Sequence, residues 1–159
     1  MSDQITSEGQ IDRRATLLRA PLFAGFADEV IARLAKMARI AAYPEGDEII
    51  EQDAEFDEES DGLFFLIDGA VEVRRGSTDG TDGRLLARLG PGDFFGELSL
   101  LDGRPRSASV FAVEEAICLV LGRWDFLREL RKDPVIAEKM LVTVAGRLRD
   151  VYESEGRPE

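Results

Sequence analysis

One stretch decides the fold of this 159-residue chain: Phe95-Gly96-Glu97-Leu98-Ser99-Leu100-Leu101-Asp102-Gly103-Arg104-Pro105-Arg106-Ser107-Ala108. Its pattern predicts a turn, a short helix that opens at a glycine, a tight loop and an arginine. Gly96 lets the backbone come close to a ligand, and the amides that follow it, at a helix N-terminus, favour an anion. Arg106 supplies a planar cation whose N–H groups fit phosphate oxygens. Glu97 fits the same site if the ligand also carries a hydroxyl from which a carboxylate can accept, which indicates a ribose phosphate.

Short β-prone runs separated by turn residues lie on both sides of this stretch. They include residues 41–43, 48–51, 63–67, 71–74, 85–89, 107–112 and 116–121. Asp68-Gly69 predicts a hairpin turn after the third run, and Gly76 to Gly83 predicts a long hairpin tip. The pattern predicts an α+β fold that is mainly β, with eight short strands in an antiparallel barrel or jelly roll, also described as a double-stranded β-helix.

Helical periodicity appears at both ends of the chain. Residues 28–40 predict a helix with an apolar face made by Val30, Ile31, Leu34, Met37 and Ala38. Residues 123–130 predict a second amphipathic helix. Residues 135–152 predict a longer one, with an apolar stripe at Ile136, Met140, Val144, Leu148 and Val151. The stripe predicts either a lid over the barrel or pairing with a second copy of itself, so the fold class includes N-terminal helices and C-terminal lid helices.

Composition and charge exclude several classes of function. The chain has no histidine and a net charge of −12, which removes the commonest general base and metal ligand and predicts that no metal is bound. The negative surface repels nucleic acid and anionic lipid, so neither is an expected partner. The absence of a long apolar run or a signal sequence, together with a single cysteine, Cys118, predicts a cytoplasmic protein.

The stretch around Gly96 and Arg106 closely resembles the phosphate-binding cassette of cyclic nucleotide-binding domains. Both its Phe-Gly-Glu-Leu start and its Arg-Pro-Arg-Ser-Ala end match, at the family spacing. The resemblance implies that Glu97 takes the ribose 2′-hydroxyl, that Arg106 takes the cyclic phosphate, and that Ser107 and Ala108 contact the phosphate. The implied ligand is cyclic AMP, with cyclic GMP as the alternative because the Ser107 hydroxyl can also meet guanine.

The resemblance covers about residues 20–152 and gives a full set of ligand-binding candidates. In the cassette they are Phe95, Gly96, Glu97, Leu98, Ser99, Arg106, Ser107 and Ala108. In the family the C-terminal helix covers the base and often forms a dimer seam, and here it offers Thr143 and Arg147 to the purine.

The predicted organisation is a single binding domain that acts as a sensor. Residues 1–14 and 153–159 are polar tails, and residues 15–152 form the cyclic nucleotide-binding domain with its C-terminal helix. No DNA-reading, kinase or channel part accompanies it, so we expect a stand-alone regulator, not an enzyme, that acts on an unknown effector protein or through a homodimer. An interaction module of the same fold that no longer binds nucleotide is the alternative. A barrel enzyme is disfavoured because neither histidine nor a nucleophile motif is present.

Two features stand outside the family pattern. The connection from Gln52 to Gly62 holds six acids and lacks the glycine that the family usually places near Asp53 or Ala54. It is read as a solvated loop rather than a calcium site, because it lacks the central glycine and the flanking helices of an EF-hand. The Arg13-Arg14-Ala15-Thr16 sequence has the shape of a basophilic kinase substrate, with Thr16 as the acceptor.

Overall fold

The computed structural model describes residues 12–19, 23, 25–55, 57, 62–96 and 104–154. Four helices and eight strands are found there, in the following order along the chain: α1 (Arg13–Arg19), α2 (Asp28–Met37), β1 (Arg39–Tyr43), β2 (Glu48–Ile50), β3 (Leu63–Asp68), β4 (Val71–Arg75), β5 (Arg84–Leu89), β6 (Phe94–Phe95), β7 (Ser109–Ala112), β8 (Ala116–Leu121), α3 (Arg123–Lys132) and α4 (Pro134–Ser154). Within these residues no helix is both long and apolar enough to cross a membrane.

The eight strands form two four-stranded antiparallel sheets. Their orders are β1-β8-β3-β6 and β2-β7-β4-β5. The predicted mainly β fold with helices at both ends is therefore confirmed. The hairpin predicted across Gly76–Gly83 is also confirmed, because β4 and β5 pair along their length.

The turn at Asp68-Gly69 differs from its prediction as a hairpin. β3 belongs to the first sheet and β4 to the second, so these two strands are not neighbours. Gly69 has φ +90° and packs so tightly that a Cβ would overlap the Glu115 carbonyl oxygen. The Asp-Gly signal therefore marks a corner that carries the chain from one sheet to the other, since a positive φ suits both kinds of turn.

Several element boundaries differ from the sequence prediction by one to three residues. The helix predicted to reach Ile40 ends at Met37, because Ala38 is already extended at φ −79° and ψ 148°. Ile40 instead pairs with Leu119 in the first sheet. An apolar residue at this position satisfies the helix period and the strand equally well. The seventh strand begins at Ser109 rather than Ser107.

Strand β3 divides the core into two layers. Leu63, Phe65 and Ile67 join the helices in one apolar cluster, whereas Phe64 and Leu66 face the second sheet in the other cluster. This explains why β3 is a continuous apolar run, since both of its faces are buried. Cys118 of the neighbouring strand lies in the inner layer, fully buried as predicted, and burial raises the pKa of its thiol to about 12.

The loop after β2 has an unusual backbone at Asp53. Asp53 has φ +67°, the one non-glycine in the left-handed region among the residues described. Its amide donates to the Arg106 carbonyl at 2.8 Å, and the Arg106 amide donates to the Ala54 carbonyl at 3.1 Å. Asp53 therefore takes a glycine-like conformation near the position where the resembling family usually has glycine.

Replacing Asp53 by glycine is expected to stabilise the fold by about 0.5–1 kcal/mol, because a left-handed residue with a Cβ is strained. For a domain of this size the melting temperature should rise by about 1–4 °C in calorimetry or circular dichroism. Asp53→Asn is the matched control, since it removes the same charge but tolerates this conformation as aspartate does. An equal gain in the asparagine variant would assign the effect to charge rather than backbone strain.

Candidate functional site

A cavity of about 530 Å³ lies between the second sheet, the two ends of the cassette and helix α4. Its volume is in the range of small-molecule pockets. Its lining comes from β2, β4, β5, β7, α4 and the segments 95–96 and 106–108: Ile50, Val73, Arg75, Leu86, Ala87, Leu89, Phe95, Gly96, Arg106, Ser107, Ala108, Val110, Val144, Arg147, Leu148 and Val151. The fold thus brings residues that are about a hundred positions apart in sequence together around one cavity.

The wall at Gly96 is a bare backbone surface. Gly96 has φ +87°, and a Cβ there would lie 2.9 Å from the Gly62 carbonyl oxygen and 3.3 Å from Nη1 of Arg106. The preceding Phe95 is buried and stacks on Phe64, with ring centroids 4.9 Å apart and planes 8° apart. The stacked rings fix the chain just before the glycine, and the missing side chain leaves room for Arg106 and for a ligand.

Arg106 is held in place from both its backbone and its side chain. The loop residues Asp53 and Ala54 pair with its backbone, and its Nη1 donates to the Gly96 carbonyl at 3.0 Å. The residue is only 4% exposed, yet it lines the cavity. A buried guanidinium beside a hollow favours an anionic ligand group, because its attraction is screened less than that of a surface charge.

Arg147 connects helix α4 to the strand that leads into the cassette. Its Nη2 donates to the Phe94 carbonyl at 2.8 Å. The guanidinium carbon also lies 3.5 Å from the centroid of the Phe94 ring, a cation–π contact. Arg147 lines the cavity. Through its two contacts with Phe94 it also holds helix α4 against strand β6.

The rest of the cavity is apolar and open. Leu86 on β5 is 38% exposed, while Leu148 and Val151 on α4 are 50% and 49% exposed. The same helix begins in the core, where Ile136 and Met140 are buried. The apolar stripe predicted from the sequence thus runs from the core out over the cavity, and an inserted flat apolar group would cover its outer part.

Six of the predicted ligand-binding residues line this cavity: Phe95, Gly96, Arg106, Ser107, Ala108 and Arg147. Thr143 is not among the lining residues, and its hydroxyl donates to the Lys139 carbonyl of its own helix at 3.1 Å. Glu97, Leu98 and Ser99 lie outside the described residues, as does most of the short helix predicted after Gly96.

The sequence reasoning missed the sheet side of the cavity, above all Arg75, Leu86 and Leu89. The alternation in Val71-Glu72-Val73-Arg74 indicated a half-buried strand and did not include Arg75. It could not show which face lines a hollow, because that depends on pairing between distant strands.

The two features outside the family pattern do not line the cavity in the part of each that the structure describes. The described part of the acidic loop is Gln52–Glu55, Asp57 and Gly62, and within the described ranges no group of three or more His, Cys, Asp or Glu could hold a metal ion. Thr16 is 5% exposed, and its hydroxyl donates to the Asp12 carbonyl at 2.9 Å. A kinase could reach this hydroxyl only if α1 were displaced.

The chain has two antiparallel sheets, a C-terminal helix that covers one of them, and a buried cation in the wall of the cavity between that sheet and the helix. These features define a ligand-binding β domain. A family model described as the cyclic nucleotide-binding domain matches residues 40–133. The chain belongs to this family.

Curated relatives and solved structures agree with this assignment. The cyclic AMP receptor protein of Thermus thermophilus is 37% identical over 131 residues, which are 82% of this chain and 58% of that protein. A CRP-like cAMP-activated global transcriptional regulator of Mycobacterium tuberculosis is 36% identical over 134 residues, covering 84% of this chain and 57% of that protein. The crystal structure of the catabolite activator protein of Thermus thermophilus matches with a TM-score of 0.71 and 38% identity, covering 85% of this chain and 61% of that one. The chain thus spans less than three-fifths of the length of these two curated relatives.

Proposed function

We propose that this protein is a regulatory sensor that binds a cyclic nucleotide, with cyclic AMP as its preferred ligand. The observation that carries the proposal is the buried guanidinium of Arg106 at a cavity that also exposes the Gly96 backbone. Family membership and the names of the relatives, a cyclic AMP receptor and a cAMP-activated regulator, support the same ligand class. The proposed binding unit covers residues 15–152, including the C-terminal helix.

In the proposed complex the cavity divides the ligand into a charged and an apolar part. The cyclic phosphate lies against Arg106, Ser107 and Ala108, where a cation and backbone groups converge. Glu97 takes the ribose 2′-hydroxyl, as the family resemblance implies. The base lies between Leu86 on the sheet and Leu148 on α4, because these side chains supply an apolar slot. No metal has a part in this binding mode.

The output of such a sensor is proposed to pass through helix α4. The half-exposed apolar side chains over the cavity become buried if the helix closes on a bound base, so the ligand favours the closed position. On other parts of the helix Leu141 and Val142 are 70% and 68% exposed. They offer a surface for an effector protein or for a second copy of the chain. Binding and release, rather than catalysis, are the proposed activity, and neither nucleic acid nor membrane is a proposed partner of this domain.

The test is a calorimetric titration of the purified protein with cyclic AMP and cyclic GMP. Acyclic 5′-AMP is the matched control, since it has the same base and sugar but an open phosphate ester. At a cyclic AMP concentration of a hundred times Kd the folded state gains about 2.7 kcal/mol, which raises the melting temperature by about 5–11 °C. Equal affinity for both cyclic nucleotides contradicts the preference for cyclic AMP. The absence of both heat and a melting shift with either nucleotide favours the alternative, an interaction module of the same fold.

A further inference from the structure

Arg75 gives the cavity a guanidinium on its sheet side, where the cassette pattern assigns no residue. Arg75 is the last residue of β4, lines the cavity and is exposed. Its Nε donates to the Ser107 carbonyl at 3.3 Å. Because Ser107 follows Arg106 directly, this contact fixes a second cation next to the site of the proposed phosphate.

The pairing of β4 with β5 adds more positive charge at the same rim. Arg75 faces Arg84 in the strand register, and both are exposed. Like charges directly opposite each other destabilise an antiparallel pair, so Arg75 and Arg84 do not stabilise this end of the hairpin. The preceding Arg74 forms an ion pair with Glu72 at 2.8 Å within the same strand. Two guanidinium groups therefore stand at the strand end that borders the cavity, and Arg75 is the one that lines it.

The net charge of −12 makes this local charge important for an anionic ligand. A negative protein repels a nucleotide over long range, and a cavity rimmed by cations can reverse that repulsion locally. A charge on an exposed rim acts mainly on the association rate and its salt dependence, whereas a buried charge acts mainly on dissociation. Arg75 and Arg106 occupy the exposed and the buried position respectively.

We propose that Arg75 makes the first contact with the anionic ligand at the cavity mouth, and that the ligand then binds to Arg106. This inference rests on the proposed binding of a cyclic nucleotide. It assigns Arg75 to entry, with Arg106 as the residue that retains the bound phosphate.

The experiment is stopped-flow measurement of association and dissociation of a fluorescent cyclic AMP analogue over a range of ionic strength. Arg75→Gln is expected to lower the association rate constant about three- to tenfold at low salt, and the difference from wild type should shrink at high salt. Its dissociation rate constant should stay within about twofold of wild type. Arg75→Lys keeps the charge and should keep most of the association rate.

Arg88→Gln is the matched control, because Arg88 is a 59% exposed arginine of the same hairpin that does not line the cavity. Unchanged association in Arg75→Gln, or equal losses in Arg75→Gln, Arg75→Lys and Arg88→Gln, overturns the assignment of entry to Arg75. If the wild-type protein does not bind the analogue, or cyclic AMP in calorimetry, the proposed function itself fails. These two failures are therefore distinguishable.

Discussion

Replacement of Arg106 by alanine is expected to weaken cyclic AMP binding by about 2–5 kcal/mol, or about thirty-fold to several-thousand-fold in Kd. The reason is its position: the guanidinium is 4% exposed and lines the cavity. A phosphate there is screened little by water, and it loses a charged hydrogen-bonding partner when the side chain is truncated. Calorimetric titration of wild type and variant at the same salt concentration measures the difference.

Arg104→Ala is the control for this experiment, since it removes the same charge from an exposed residue two positions earlier that does not line the cavity. It should leave Kd nearly unchanged. Arg106→Lys keeps the charge but not the planar fork, so it should recover only part of the affinity. Equal losses in the Arg104 and Arg106 variants, or full affinity in the alanine variant of Arg106, would show that the phosphate binds elsewhere.

The strand pattern and the two described ends of the cassette were predictable because they depend on local chemistry. Three features can be recognised from residues that are close in sequence: the positive φ at Gly96, the arginine at a fixed spacing, and the short apolar runs between turn residues. Asp68-Gly69 shows the limit of such signals. The residues specify a tight left-handed turn, but the neighbouring sheet decides whether that turn closes a hairpin or carries the chain to another layer.

The far side of the cavity could not be predicted for a related reason. Arg75 meets the Ser107 carbonyl across 32 positions of sequence, and Arg147 meets the Phe94 carbonyl across 53. Such contacts depend on strand register and on where α4 crosses the sheet. The sequence reasoning could name Arg147 from the family resemblance, whereas nothing local to Arg75 distinguished it from the neighbouring Arg74.

The acidic character of the chain and its ligand class are compatible because the charges are separated in space. The described lining of the cavity contains three arginines and no acidic residue, although the whole chain has a net charge of −12. At physiological salt, charges beyond about 8 Å are largely screened. A bound phosphate therefore interacts mainly with these arginines, and Glu97 is the one acid that the proposed binding mode places on the ligand, at the ribose. The other acids chiefly slow the approach of the ligand.

Gly96→Ala is expected to impair both the fold and the site. A Cβ at φ +87° is strained, and it would stand 2.9 Å from the Gly62 carbonyl oxygen and 3.3 Å from Nη1 of Arg106. The strain alone is about 1–2 kcal/mol, which lowers the melting temperature by about 2–8 °C. Because the Gly96 carbonyl holds Nη1 at 3.0 Å, its displacement moves the phosphate-binding cation, and affinity should fall by at least about tenfold.

Gly92→Ala separates these two effects of the Gly96 substitution. Gly92 has φ +96°, but a Cβ there would meet no heavy atom within 4 Å. Its alanine variant therefore retains the backbone strain without the contact with Arg106, so its melting temperature should fall while cyclic AMP affinity stays near that of wild type. If Gly92→Ala and Gly96→Ala lose affinity equally, general destabilisation explains the loss. A loss confined to Gly96→Ala instead means that the glycine is required because its carbonyl and its missing side chain together position Arg106.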